Sequence, residues 1–466
     1  MDSVKFCELE NDSDLLDWEI DGVKVWRYER FIIHRLLLEL EHGEKPGTDN
    51  NKVKTKLLDY VKLYIKYPIK WNKKEDILIV NHPRRVIDED KYICKFTENI
   101  SDNYSSCVTF ESYYYYSHMT PAKTKNLRYF DKLSIESNVY ERVIRRVASK
   151  KYNETKNEIY KKIQSVFAES CGDSTCRVIA DMMTKHLYII KYKRKKIKKI
   201  INAIKPKLVI EVVGYSQNNM IINEIAHDCA IPTVEIQHSQ INPSMIQYMW
   251  KKRQHVEQFP DYLFTYGDFW KMGLELPISD DHVKSVGFPF FEKQVELYKS
   301  KHNSNHTGLL FISQFLAGSY VYKLAVEYAE MFPEEKIMYK LHPDEYDIWE
   351  EKYPKLKEMK NITVLSDSSI SLYECFMDSY AVVGIYSGAL YEALAFDLPI
   401  YLYNANYIEN MQNLIDIKGA LVFNSANELY DLLHKGQRAI QPSVEIWKWN
   451  AMNNTTNEIN MILNGR

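Results

Sequence analysis

Long apolar runs are missing from this chain; none approaches the roughly eighteen residues that a membrane span needs. The opening residues, Met1-Asp2-Ser3-Val4-Lys5, hold no signal-peptide core, so the expected location is the cytoplasm. Charge imbalance is missing too. Lys and Arg total 61 against 63 Asp and Glu, a net of −2, so the bulk balance calls for no nucleic-acid partner. Cysteine is sparse: seven dispersed residues without metal spacing, an odd set that reads as reduced thiols. For the closest pair, Cys171 and Cys176, free thiols are expected rather than zinc or a disulfide. There is no internal repeat and no low-complexity segment. What is present is ordinary for a soluble globular protein, with 45% hydrophobic and 27% charged residues. The length of 466 residues predicts two domains, each with its own core.

Periodicity predicts mostly helix over residues 1 to 75, with Phe31, Ile32, Leu36, Leu37 and Leu40 on one face, and a second helix from Val53 to Ile65. Ile77-Leu78-Ile79-Val80 reads as a strand followed by the loop His82-Pro83-Arg84-Arg85, and Ser106 to Tyr115 reads as another strand. Helices are expected at Glu141 to Tyr152, Asn157 to Ala168 and Val178 to Ile204. A strand from Lys207 to Val213, a helix from Met220 to Cys229 and a strand from Pro232 to Ile236 form a βαβ unit, which predicts a parallel sheet. The polar run Tyr298 to His306 reads as an interdomain linker. Beyond it the alternation restarts: strands at Leu309–Ile312, Lys336–Leu341, Ile362–Leu365, Val382–Tyr386 and Ile400–Leu402. Helices fall between them, at Tyr320 to Met331, Tyr346 to Met359, Ser371 to Cys375 and Ala389 to Phe396. The domains expected are therefore 1–300, Rossmann-like with a helical N-terminal extension, and 306–466, a second Rossmann-like doubly wound domain.

Chemistry concentrates in the second half. Ser387, Gly388 and Ala389 form a small turn at a helix start, where free backbone N–H groups and the helix dipole suit a phosphate. Glu392 lies one turn further, where a carboxylate can hold ribose hydroxyls. His342, in Lys340-Leu341-His342-Pro343, follows a strand of the same sheet. It is either a donor to a departing phosphate or a loop histidine stiffened by Pro343, and Lys340 could assist it. Ser313 and Gln314 follow the first strand, where they could serve a second phosphate or simply a helix cap. Glu211 and Glu235 interrupt apolar strands, as structural pairs or as bases with raised pKa. His238 ends the strand next to Glu211, and the two are the candidate bases for an acceptor hydroxyl. Arg84 and Arg85 could grip an acceptor anion or lie on the surface, and Tyr113 to Tyr116 could stack on sugar rings or pack a strand. Lys191 to Lys199 is a basic amphipathic helix segment, read as a solvated face or as a contact with anionic lipid.

The His-Pro dipeptide, Ser387-Gly388-Ala389-Leu390-Tyr391-Glu392-Ala393-Leu394 and the following Leu398-Pro399-Ile400-Tyr401-Leu402 resemble the donor domain of GT-B glycosyltransferases. Ile231-Pro232-Thr233-Val234-Glu235-Ile236-Gln237-His238-Ser239, Phe259-Pro260-Asp261-Tyr262 and Val286-Gly287-Phe288-Pro289 resemble segments of bacterial capsule and lipopolysaccharide transferases of sialyltransferase-, Kdo-transferase- and glycerophosphotransferase-like type. The resemblance covers roughly residues 205 to 430, with Ser239 where those enzymes have glycine. It implies two Rossmann-like domains facing a cleft. It also implies a CMP-, UDP- or GDP-linked sugar donor as substrate, no separate cofactor, and no bound metal; Asp88-Glu89-Asp90 is the nearest imitation of an Asp-x-Asp motif. The implied function is sugar transfer to a glycan or lipid-linked acceptor in capsule, O-antigen or lipopolysaccharide synthesis, with Lys191–Lys199 as a contact to the inner face of the membrane. The alternatives are a nucleotide-sugar 2-epimerase, a polyol-phosphate transferase and a non-catalytic glycan-binding assembly protein.

Overall fold

Two parallel sheets carry the chain. The computed structural model describes residues 3–41, 64, 74–114, 117–250, 255–301, 307–440, 442 and 444–465. The helix expected from Val53 to Ile65 therefore lies outside the described residues, apart from Tyr64, as do Tyr115 and Tyr116. The chain divides into two compact units.

The first unit comprises Met1–Thr265, Gly273–Val286 and Met452–Arg466. Its strands are β1 (Ile77–Val80), β4 (Cys107–Glu111), β5 (Leu127–Tyr129), β6 (Leu208–Val212), β7 (Thr233–Ile236), β8 (Tyr262–Thr265) and β9 (Val283–Ser285). They lie in the order β5-β4-β1-β6-β7-β8-β9. All six pairings are parallel. A small antiparallel ribbon, β2 (Val86–Asp88) with β3 (Lys91–Ile93), hangs off the loop after β1. Every residue of β1, β4, β6 and β7 is buried, as expected for parallel strands covered on both faces.

Helical layers follow the sequence pattern with two differences. Val25–Glu41 is the expected amphipathic helix. The three helices expected between 141 and 204 are instead Asp131–Val147 and one run, Ser149–Ile204, broken at Gly172. Gly172 has φ 75° and ψ 163°, a conformation that glycine adopts cheaply, and it sits between the thiols of Cys171 and Cys176, which are free.

The second unit comprises Tyr266–Met272 and Gly287–Ala451. Its strands are β10 (Gly308–Ile312), β11 (Ile337–Lys340), β12 (Ile362–Leu365), β13 (Ser379–Gly384), β14 (Ile400–Tyr403) and β15 (Leu421–Phe423). Their order is β12-β11-β10-β13-β14-β15, all parallel. The expected Tyr346 to Met359 helix is broken into short turns, Pro343–Glu345, Trp349–Lys352 and Pro354–Lys357, because proline cannot donate within a helix.

Both sheets share one winding. In each, two strands run outward from a central strand, and the next large-sheet strand returns to its other side. That is the doubly wound order of Rossmann-like folds, so the expected α/β class with two such domains is what the chain adopts. The domain limits differ from the sequence reading. Tyr298 to Lys301 form the last turn of a helix, Pro289–Lys301, that belongs to the second unit, while 302–306 lie outside the described residues. The division falls at Val286/Gly287, and the terminal helix Ala451–Leu463 returns to the first unit, where Tyr104 donates to Asn460 (3.0 Å) and Lys284 faces Glu458 (3.8 Å). A polar run at a helix end looks like a linker in sequence because both are solvated. Among the described residues, no helix is long and apolar enough to cross a membrane.

Candidate functional site

Doubly wound sheets bind ligands beyond the carboxyl ends of their strands, at the point where the winding reverses. In the second unit that point lies between β10 and β13. The pairings Ile312↔Lys340 and Phe311↔Val383, continued two or three residues further, bring Gln314, His342 and Tyr386 to one level on three adjacent strands. Gln314 lies near the Tyr386 hydroxyl across the switch point. The sheet therefore gathers three side chains spread over more than seventy residues of sequence.

His342 is held by its own loop. It is the N-cap of Pro343–Glu345: its Nδ1 accepts from the Asp344 N–H (3.2 Å), and its own N–H donates to Glu345 Oε2 (3.0 Å). A ring nitrogen that accepts carries no proton, so the neutral ring has its proton on Nε2. The cap thus presents a hydrogen-bond donor on the far side of the ring. Glu345, which sequence reading missed, is fully buried, and its Oε1 accepts from Tyr353 (2.5 Å). The Glu345 and Tyr353 oxygens, with Ser313 Oγ, crowd Gly318, the first residue of helix Gly318–Met331. A Cβ there would lie 2.3 Å from Glu345 Oε1. The signal available in the sequence was the capping-box spacing, His342 followed three residues later by a glutamate.

The other expected residues of this unit are placed as follows. Ser387 caps helix Gly388–Leu394, its Oγ accepting from the Ala389 N–H (3.3 Å). Gly388 is exposed, and a Cβ there would meet nothing within 4 Å, so the turn opens onto free space. Glu392 is half-buried near the Tyr373 hydroxyl, whose pKa is raised by burial and then by the Glu392 charge. Lys340 turns away from a ligand position: its Nζ donates to the carbonyls of Asp367 (2.7 Å) and Ile370 (3.2 Å), and burial lowers its pKa. It tethers the loop after β12. Ser313 is buried beside the hydroxyls of Tyr339 and Tyr353.

In the first unit the switch point lies between β1 and β6. Val213, just past β6, has φ 65°, a costly conformation for a β-branched residue. Asn219 Nδ2 holds it through the carbonyls of Val212 (2.8 Å) and Val213 (3.0 Å). The resulting bend sets Tyr215 Oη 3.3 Å from His238 Nε2, past the end of β7. It also lays Gly214 over two carboxyl groups. Glu211 and Glu235 are register partners on β6 and β7. A Cβ on Gly214 would lie 2.6 Å from Glu235 Oε2 and 2.9 Å from Glu211 Oε1. Glu235 Oε1 accepts from the Gly214 N–H (2.9 Å) and Tyr248 (2.8 Å), and Glu211 Oε1 accepts from Asn223 (2.9 Å).

Burial and then the neighbouring Glu235 charge push the Glu211 pKa far up, and burial pushes Glu235 up to about 7. Glu211 is fully buried, and both burial and the Glu235 charge favour its neutral form. Burial first, then the charges of His82 and Lys95, push His238 down to about 3, so its ring is neutral and weakly basic. The carboxyl pair has a measurable consequence. Raised folded-state values contribute stability that is present below the ordinary carboxyl pKa and lost as pH rises through about 7. Glu235→Gln should match the wild type near pH 4.5 and exceed it at pH 7.5 by about 3 kcal/mol, from roughly 1.4 kcal/mol per pKa unit. Urea denaturation at the two pH values checks this; equal stability of the two proteins at pH 7.5 would contradict it.

Two basic segments are accounted for within the unit. Arg84 is exposed, but Arg85 is buried against Glu111 and donates to Thr124 and the Tyr92 carbonyl. In the run from Lys191 to Lys199, Lys191 pairs with Asp21, Arg194 with Glu224, Lys196 with Glu136 and Lys198 with Asp228. Lys193 is buried, donates to Gln217 and Asn218, and is pushed by burial down to about 8. Packing against acidic side chains explains most of this charge.

No family model matches the chain, and no curated protein matches it. Solved structures resemble it distantly. A putative UDP-N-acetylglucosamine 2-epimerase from Listeria monocytogenes is 11% identical, with 84% of this chain and 97% of that one covered and a TM-score of 0.48. The UDP-GlcNAc 2-epimerase from Methanocaldococcus jannaschii is 11% identical, with 83% and 99% covered and a TM-score of 0.47. The wall teichoic acid polymerase TagF is 9% identical, with 96% and 99% covered and a TM-score of 0.46. Likenesses this distant say nothing about the reaction.

Proposed function

We propose that the chain is a nucleotide-sugar-dependent glycosyltransferase of GT-B type. The second unit takes the nucleotide at the β10/β13 switch point, and the first unit takes a glycan or lipid-linked acceptor of a bacterial surface polysaccharide. The observation that carries the reading is the His342 cap. It presents an Nε2–H donor at the level of Gln314 and Tyr386, beyond the carboxyl ends of the strands. A departing nucleotide gains negative charge, and a preset donor stabilises that charge without reorganising. The Ser387-Gly388-Ala389 turn would face a phosphate, and Glu392 the ribose.

The test is thermal melting of the intact protein with CMP, CDP, UDP, GDP and their sugars. A ligand of the native state raises the melting temperature. One nucleotide family should do so, and Gly388→Glu should abolish the shift. That variant has free space for its side chain, and a carboxylate suits a helix start, so folding is preserved while phosphate is repelled. No shift with any nucleotide, or an undiminished shift in Gly388→Glu, would sink the assignment.

A second reading, a nucleotide-sugar 2-epimerase, is favoured by one observation: Glu235, with its pKa near 7, has the value of a general acid–base group. Incubating the bound nucleotide sugar without acceptor separates the two, since an epimerase changes the sugar and a transferase does not.

A further inference from the structure

Helix Asp131–Val147 of the first unit carries an outer face of uncommon composition. Its buried residues are Asp131, Leu133, Ser137 and Glu141. Its exposed residues are Val139, Arg142, Val143, Arg145, Arg146 and Val147. The outward face of a packed helix is ordinarily charged and polar, because water is its neighbour. Here half of it is apolar. Val139, Val143 and Val147 recur every fourth residue, so they form one stripe, and they are 53%, 49% and 81% exposed. Helix propensity does not explain them. A β-branched side chain loses rotamer freedom in a helix, so exposed valines weaken the element that carries them. Single exposed apolar residues need no explanation, but a repeated row does.

Charge is sorted on the same helix. Its two later glutamates turn inward. Glu141 is buried and accepts from Tyr152 (2.9 Å); the half-buried Glu136 accepts from Tyr192 (2.7 Å) and faces Lys196 (3.3 Å). Arg145 reaches Glu141 (3.5 Å). Arg142 and Arg146 are exposed and make no ion pair among the described residues. The exposed Lys150 follows at the same spacing in the next helix, also without one. The segment Lys191 to Lys199 differs, since most of its charge is paired with acidic side chains. On helix Asp131–Val147 a row of cations runs beside the row of valines, which spans about 12 Å at 1.5 Å per residue.

We propose that this face binds the surface of a bilayer that contains acidic lipid. The helix lies in the plane of the interface, with the valines at the acyl-chain boundary and Arg142 and Arg146 at the headgroup phosphates. The long arginine stems keep the guanidinium groups in the headgroup layer while the valines go deeper. Charge selects this occupant. Protein interfaces are anchored by aromatic residues and methionine, and the exposed face holds neither. A membrane offers a continuous negative layer over hydrocarbon, which adjacent cationic and apolar rows match. The proposal stands on the first unit alone and needs no part of the transferase reading.

The test is co-sedimentation of the intact protein with vesicles of phosphatidylcholine, with and without phosphatidylglycerol. Binding is expected only with the acidic lipid, and added salt should weaken it. Arg142→Gln combined with Arg146→Gln should lower the partition coefficient about thirtyfold, the scale for two basic residues near an acidic surface. Val143→Glu should lower it about tenfold or more, because it puts a carboxylate that acidic lipid repels into the apolar row. These side chains are exposed, so the melting temperatures of the variants should match the wild type. Gly388→Glu should bind vesicles as the wild type does, so failure of the nucleotide assignment leaves this one standing. No binding to acidic vesicles, equal binding to neutral ones, or undiminished binding in either variant would overturn the proposal. So would a dimer in solution that Val143→Glu dissociates, since the face would then belong to a second copy of the chain.

Discussion

Replacing His342 with alanine is expected to lower kcat about 10²- to 10³-fold, the size found for removing one preset donor to a developing negative charge. Affinity for the nucleotide donor should stay within about threefold, because the contact strengthens as the nucleotide leaves. Release of nucleotide from the donor sugar provides the assay. Glu345→Gln should show a smaller loss of the same kind. Its side chain touches no ligand; it holds the His342 N–H and the Tyr353 hydroxyl. Gln keeps an acceptor oxygen, so the loop persists with a weaker grip. A raised KM with unchanged kcat in His342→Ala would show that the ring only binds.

Replacing Arg85 with alanine is expected to cost about 3–5 kcal/mol, the loss that follows when a buried pair is left with one partner. Its guanidinium reaches Glu111 through Nε (2.8 Å) and Nη2 (2.7 Å), and Nη1 donates to Thr124 (2.8 Å). Without it the buried Glu111 loses its strongest partner and keeps only His118 (3.6 Å), with Glu98 close by. Arg84→Ala, one residue earlier and exposed, should change stability by less than about 0.5 kcal/mol. Urea denaturation of both variants checks the contrast, and equal midpoints would show that Arg85 is not the keystone of that cluster.

Those two arginines mark where reading the sequence stops. Adjacent residues with one chemistry have one local signal. Only the position of Glu111 at the end of β4, brought beside the loop after β1 by the Ile77↔Cys107 register, separates a buried tether from a free surface charge. Glu211 is similar. Its place in an apolar strand announced a perturbed carboxyl. The direction of the shift came from Glu235 across the β6–β7 pair and from the burial of both carboxyl groups. Lys340 and the basic helix carried charge that reads equally as a ligand grip or a tether, and the carbonyls and carboxylates facing them come from distant segments.

By itself the sequence determined the α/β class, the central strands of both sheets and the loops where chemistry can sit, but not the short edge strands such as Leu127–Tyr129, Val283–Ser285 and Leu421–Phe423. Apolar runs of strand length, turn residues and helical spacing are local properties, and each is set by residues within a few positions. The His-Pro loop and the Ser387 turn were legible for the same reason. Tertiary structure alone decided the domain division, the breaking of the helix after His342 into short turns, and the identity of Glu345, Tyr215 and His82 as partners of the candidate sites. These depend on strand order and register, which join residues a hundred positions apart. A contact of that kind leaves no periodic trace in the chain, because its two halves are encoded separately and meet only when the sheet is wound.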